Sequence, residues 1–198
     1  MKSTLKIAAL VLAFAGLSVA AKAQTTTSTS TSTTTKDGIR YSIGVEAGIP
    51  VGNFKDGHKW NLGGSLQADI PVASQLFVTV NAGFNNVFGK KDITVAGVTG
   101  DVPNIQLLPV KAGLKYFVIP NLYVQGEAGA AFLLNKNETG VDKSTAFVYA
   151  PQIGVQFPVS ANGNFIDAGV RYEATTKYTS GVDDSKISFL GLRVAYGF

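Results

Sequence analysis

The chain has 198 residues, 45% of them hydrophobic and 15% charged, with 22 glycines, no cysteine and a formal net charge of +4. The lack of cysteine excludes a disulfide framework, and no run of 18 apolar residues exists outside the N-terminus, which excludes a helical membrane protein. The basic balance belongs largely to the first residues: without Lys2, Lys6 and Lys22, 14 basic and 13 acidic residues remain, which leaves no electrostatic case for nucleic-acid binding.

Residues 1–23 read as an export signal. Lys2 and Lys6 form the charged start, Ile7 to Ala20 the apolar stretch, and Ala21-Lys22-Ala23 the small-x-small cleavage site. The apolar stretch is short for a membrane-spanning helix. Residues 24–38 begin QTTTSTSTSTTTK and offer no apolar face to bury, so they are expected to form a disordered tether.

From Ile39 onward the dominant period is two. Ile39, Tyr41, Ile43, Val45, Ala47 and Ile49 alternate with Arg40, Ser42, Gly44, Glu46 and Gly48. The run from Trp60 to Val72 sets Trp60, Leu62, Leu66, Ala68 and Ile70 against Asn61, Ser65, Gln67 and Asp69. Leu76 to Asn85, Leu108 to Tyr116, Leu122 to Phe132, Phe147 to Phe157 and Ile166 to Glu173 repeat the grammar. The eighth run, SFLGLRVAYGF, alternates through residue 198. Eight alternating runs with no helical period predict an all-β antiparallel sheet.

The connections alternate in length. Short ones fall near Pro71 to Gln75, Ile119 to Asn121 and Pro158 to Asn164. Longer ones fall near Gly52 to Lys59, Gly89 to Asn104, Asn135 to Thr145 and Lys177 to Ser185. The strands keep alternating for about 11 to 13 residues, the length a tilted membrane strand needs and twice the usual sandwich strand. Aromatics on the apolar face form two bands. Trp60, Phe84, Phe132, Phe147, Tyr149 and Tyr172 lie toward the long-loop end; Tyr41, Tyr116, Phe157, Tyr196 and Phe198 lie toward the short-turn end. Two aromatic bands around an aliphatic middle fit the two interfaces of a bilayer. The predicted fold is therefore an eight-stranded antiparallel up-and-down transmembrane β-barrel over residues 39–198.

The polar face carries ten charges: Arg40, Glu46, Asp69, Lys111, Lys115, Glu127, Asp167, Arg171, Glu173 and Arg193. An eight-stranded barrel is only wide enough for side chains to fill it, so these charges must pair inside it. A turn centred near Pro120 would set Glu127 between Lys111 and Lys115. Folding about Gly181 would bring Arg193 toward Asp167 and Arg171, and barrel closure would bring it toward Glu46. Pro109 and Pro151 each remove a ladder hydrogen bond and are expected to mark bulges.

For catalysis the sequence offers little, and no catalytic residue is expected. His58 is the single histidine, read as a solvated loop residue beside Asp56 and Lys59, with Asp184-Ser185 in the last long loop the one conceivable companion. No metal-ligand cluster or phosphate-binding loop is present in the sequence, so no metal or cofactor is expected. Loop lysines, including Lys55, Lys59, Lys90 and Lys91, offer charge to lipopolysaccharide phosphates, although acids accompany them.

With these features in hand, residues 39–198 resemble the small outer-membrane β-barrel family, of the OmpX, OmpA-barrel and PorT-like kind, on the phrases GVEAGIPVGNF, GGSLQADIPV and YVQGEAGAAF. Tyr196 and the terminal Phe198 resemble the signal that barrel-assembly machinery reads in such proteins. The resemblance implies a monomer of the bacterial outer membrane, in contact with lipid and lipopolysaccharide, with a structural, adhesive or minor channel role. The expectation is a non-enzymatic protein with a closed, charge-filled lumen, acting in envelope structure or in surface interactions through its long loops. The rivals are a narrow ion or small-solute channel and, more distantly, a surface lipid-modifying enzyme using His58.

Overall fold

The computed structural model describes residues 38–95, 98–136, 143–178 and 186–198. The expected signal segment and the tether up to residue 37 lie outside the described residues, as do Gly181, Asp184 and Ser185. In chain order the elements are β1 (Arg40–Pro50), a one-turn helix α1 (Phe54–Gly57), β2 (His58–Ala73), β3 (Leu76–Gly89) and a small hairpin of β4 (Ile93–Val95) and β5 (Val98–Gly100). There follow β6 (Ile105–Ile119), β7 (Leu122–Leu133), β8 (Thr145–Pro158), β9 (Phe165–Thr175) and β10 (Ser188–Gly197).

Eight of the strands close into one antiparallel barrel in the order β1-β10-β9-β8-β7-β6-β3-β2. They run from 10 residues in β10 to 16 in β2. The hairpin β4–β5 pairs only with itself and stands in the second long connection. Neither this hairpin nor α1 was legible in the sequence, since each is too short to set up a period.

Closure is made by β1 and β10, from Ser42 opposite Gly197 to Pro50 opposite Phe189. Beyond the last ladder pair, Tyr41 N–H donates to the Phe198 carbonyl at 3.2 Å and Phe198 N–H to the Tyr41 carbonyl at 2.9 Å. The final residue is thus held in the wall, and closure leaves none of the eight strands with an unpaired edge.

The two faces divide as the alternation dictates. Outward positions are apolar and exposed: Val45 is 65% exposed, Leu192 63% and Leu66 57%. Trp60, Phe84, Phe147, Tyr149, Tyr41, Tyr116, Phe157, Tyr196 and Phe198 are all exposed on this outer wall. A continuous apolar belt of this kind belongs in hydrocarbon, not in water. Connections 74–75, 120–121 and 159–164 are short, and 51–57, 90–104, 134–144 and 176–187 are long. In the 159–164 turn Gly163 takes a φ of +88°, a conformation that favours glycine.

The two prolines behave differently from expectation. Neither produces a bulge. The β3–β6 ladder stops at Ala82–Val110 and resumes in the same register at Asn85–Leu107, so Pro109 leaves a gap in the pairing. The β8–β9 ladder likewise stops at Tyr149–Ala174 and resumes at Gln152–Arg171 around Pro151. Each proline stays paired in register on its other side, Pro109 with Ala131 and Pro151 with Gly126. A bulge needs an extra residue; a missing N–H alone only interrupts the bonding on the side it would have faced.

Candidate functional site

The lumen is the place where the sequence concentrates its chemistry. Nine of the ten charges are buried, and the Arg40 side chain is 19% exposed. Their contacts form one alternating line. From the short-turn end, Arg40 meets Asp69 at 3.5 Å, and Asp69 meets Lys115 at 2.7 Å. Lys115 lies 3.9 Å from Asp167, which takes Arg193 at 3.2 Å. Arg193 lies 3.5 Å from Glu46, and Glu46 takes Arg171 at 3.0 Å. Arg171 then meets Glu127 at 3.3 Å, Glu127 lies 3.9 Å from Lys111, and Lys111 closes the line on Glu173. Positive and negative groups alternate at every step, five of each sign.

Neutral polar side chains extend the network, although Arg40 Nε, Arg171 Nη2 and Glu127 Oε2 have no hydrogen-bond partner among the described residues. Ser65 Oγ donates to Glu46 at 2.6 Å, and Arg193 donates to the Ser65 and Ser42 hydroxyls at 3.2 Å each. Tyr123 O–H and Gln156 Nε2 donate to the two oxygens of Asp167 at 2.9 and 2.8 Å. Gln67 serves Asp69 at 2.7 Å, Thr79 serves Glu127 at 3.2 Å, and Arg171 Nε donates to Gln152 at 2.8 Å. Tyr123 also places its ring 4.7 Å from Lys115 Nζ. Its role was not legible from the alternation, since Leu122, Tyr123 and Val124 are apolar in succession.

Room for the long side chains comes from glycine on the neighbouring strand. Glu127 stands opposite Gly113, Lys111 opposite Gly129, Arg193 opposite Gly169, Arg171 opposite Gly191 and Glu46 opposite Gly63. A Cβ on Gly113 would lie 2.7 Å from the Glu127 Cα, and one on Gly129 would lie 2.8 Å from the Lys111 Cα. Both approaches are shorter than carbon contacts allow.

Both ends of the lumen turn apolar. Toward the loops, Phe54, Val87, Leu107, Leu133, Ala146, Tyr178, Ile187 and Phe189 pack into one buried cluster. Tyr178 lies outside the strands; burial, and then the charge of Glu173, raises its pKa, and its O–H donates to the Ala131 carbonyl at 3.2 Å. Toward the short turns, Phe77, Phe117 and Tyr123 form a second cluster. There the Arg40 guanidinium sits 4.3 Å from the Phe77 ring centre, 5.1 Å from Phe165 and 5.7 Å from Phe117. Phe77, Phe117 and Phe165 fall at inward positions where alternation predicts polar residues. Runs such as Tyr116-Phe117-Val118-Ile119 were the signal: apolar residues on both faces mean that both faces are covered.

His58 is the other departure from expectation. It is 8% exposed, not solvated, because α1 lays Phe54 against it with ring centres 4.2 Å apart. The ring lies at the loop end, two positions beyond Trp60 and outside the aromatic band. Backbone groups of Phe54 and Pro103 lie near it, yet among the described residues neither ring nitrogen has a partner in hydrogen-bonding geometry. Burial holds its pKa below the usual value, so the imidazole is neutral at pH 7. Tyr196 and Phe198 lie on the outer wall at the short-turn end, with the Phe198 ring stacked on Tyr41 at 6.5 Å. Among the described residues no group of three or more His, Cys, Asp or Glu side chains could hold a metal ion.

Comparison with known proteins agrees with this geometry. No protein-family model matches the chain, and no curated protein matches it. Solved structures do. The outer membrane protein OprG from Pseudomonas aeruginosa is similar over 80% of this chain and 93% of its own, with 12% identity and a TM-score of 0.52. The outer membrane protein AlkL, solved in DMPC bilayers, is similar over 88% of this chain and 96% of its own, with 16% identity and a TM-score of 0.50. The outer membrane enzyme PagL is similar over 79% of this chain and 98% of its own, with 14% identity and a TM-score of 0.48. The fold is that of the small eight-stranded outer-membrane barrels.

Proposed function

We propose that this chain is a monomeric barrel of the bacterial outer membrane, non-enzymatic, with a closed lumen and a structural or surface-interaction role. The observation that supports this reading is the single alternating line of ten charges, capped at each end by an apolar cluster. An ion entering that line would have to displace a partner from a charge that is already neutralised. A selective pore more often presents a ring of one sign.

The long loops are then the surface left to act. Lys55, Lys91, Lys143 and Lys186 are exposed there, with Lys59 exposed at the start of β2, and could meet lipopolysaccharide phosphates. Tyr196 and Phe198 would present the last strand to barrel-assembly machinery. For catalysis, a histidine packed under Phe54 makes a poor surface base.

Planar-bilayer conductance tests the reading. The sample is mature protein refolded in detergent, limited to material whose gel mobility shifts on boiling. The expected result is a silent bilayer. Discrete conductance steps that change in an Arg193→Ala variant would make the polar face a transport path. Lipid A analysis tests the enzymatic rival: acylation altered by the wild type but not by His58→Ala would overturn the non-enzymatic reading.

A further inference from the structure

A cavity of about 240 Å³ opens at the short-turn mouth of the barrel, below the second apolar cluster. It is built by all three short turns together with the start of β1, and among the described residues Arg40 is the only charged one in its lining. Phe77, Phe117 and Phe165 form apolar walls, and Asn121 and Ser160 bring polar groups to the rim. The volume exceeds the roughly 150 Å³ of a cavity that admits benzene.

Arg40 is a terminal member of the charge line, and it is incompletely satisfied. Its one hydrogen bond to a side chain among the described residues runs from Nη2 to Asp69 at 3.5 Å, and its Nε is buried without a partner. Asp69 is committed more closely to Lys115, at 2.7 Å, and does not line the cavity. The cavity therefore meets a guanidinium on an aromatic floor, with no acid facing it among the described residues. A guanidinium binds a carboxylate through paired N–H donors, and an aromatic surround strengthens that bond by excluding water.

We propose that the short-turn mouth is a binding site for a small carboxylate with an apolar body, held by Arg40 and enclosed by Phe77, Phe117 and Phe165. The carboxylate is that of a free acid of about amino-acid size, or the C-terminal carboxylate of a peptide.

The test is an NMR titration of the mature chain, folded in a neutral detergent, following the Arg40 Nε–Hε and Asn121 side-chain amide signals. The probes are N-acetyl-leucine, its uncharged amide N-acetyl-leucinamide, and the tripeptide Ala-Ala-Leu with a free C-terminus. The expected result is a saturable shift of both signals with N-acetyl-leucine and none with the amide. Saturation by the tripeptide at lower concentration than the acid would assign the site to peptide C-termini; response to the acid alone would assign it to free acids. Arg40→Gln should abolish the Asn121 response. Ala161→Phe, on the exposed rim turn and leaving the lumen intact, should weaken binding at least tenfold and carries the test if Arg40→Gln fails to fold. Equal shifts with acid and amide, no shift with either acid, or undiminished binding in Ala161→Phe would overturn the proposal.

Discussion

The end of the charge line at Lys111 and Glu173 allows its energetics to be measured cleanly. Both residues are 2% exposed. Glu173 has Lys111 as its ion-pair partner, whereas Lys111 has a second acid only at 3.9 Å, in Glu127. Lys111→Met leaves Glu173 as a buried carboxylate without a cation, while Glu127 keeps Arg171 at 3.3 Å and Thr79 at 3.2 Å. Glu173→Gln leaves the Lys111 ammonium with one distant acid. Removing one partner of a buried pair costs about 3–5 kcal/mol, because the other charge stays desolvated. The double variant restores neutrality with side chains of similar volume, so it should cost about 3 kcal/mol, no more than either single. The coupling energy is then at least about 3 kcal/mol in magnitude, at or above the top of the range for neighbouring residues. Reversible urea unfolding in lipid vesicles would measure it, read through the single tryptophan, Trp60, which is 43% exposed on the outer wall and whose emission reports departure from lipid. Costs that add to within about 0.5 kcal/mol would show that the two residues act independently. The alternating line would then be a coincidence of geometry without energetic meaning.

Gly113→Ala should destabilise the barrel by about 1–3 kcal/mol through overpacking against the Gly126 carbonyl and the Glu127 backbone, whereas Gly126→Ala, on the outer wall with nothing within 4 Å of the new methyl, should change the same urea midpoint little. Because the His58 pKa is depressed in the fold, the unfolded chain binds the proton more readily, so stability is full above about pH 6.5 and falls as pH drops below it. His58→Phe should flatten that part of the pH profile of thermal unfolding; an unchanged profile would place the titration elsewhere. Phe198→Ala should lower the heat-modifiable fraction in cells while leaving the unfolding midpoint of refolded protein nearly unchanged. Equal loss in both measurements would make Phe198 a stability residue and not an assembly signal.

Much of this was legible in the sequence because a barrel wall is a one-dimensional pattern. Period two separated the faces, and loop length separated the ends. Adjacent-strand register could also be counted: Glu46 does stand opposite Arg193, and Arg193, opposite Gly169, lies two pairs from the Asp167–Ala195 pair. The pairing of Lys111 with Glu173 could not be counted, since β6 and β9 are not neighbours in the wall. Arg171 reaches Glu46 in the same way, from β9 past β10 to β1. Long side chains meet across a lumen according to its diameter and tilt, which no strand records locally. The end clusters were missed for a related reason. Phe77 or Phe117 beside an outward apolar residue looks like a loss of alternation, although it marks a strand covered on both faces.

The glycines explain how so narrow a barrel holds so many charges. Each ion pair needs two long side chains to meet near the axis, and a bulky cross-strand neighbour at each root would push them apart. Glycine at the facing position removes that obstacle for Glu46, Lys111, Glu127, Arg171 and Arg193. The side chains can then lie along the wall and meet in single file. Single file in turn forces alternation, because adjacent like charges in a dry interior would repel strongly. A line of this kind gains stability only while every member stays in place. On the proposed reading, the same arrangement that fills the lumen would resist conduction, since moving one charge leaves two others unpaired. Arg40 escapes this constraint because it has a neighbour on one side only, and at the short-turn mouth its other side faces the cavity.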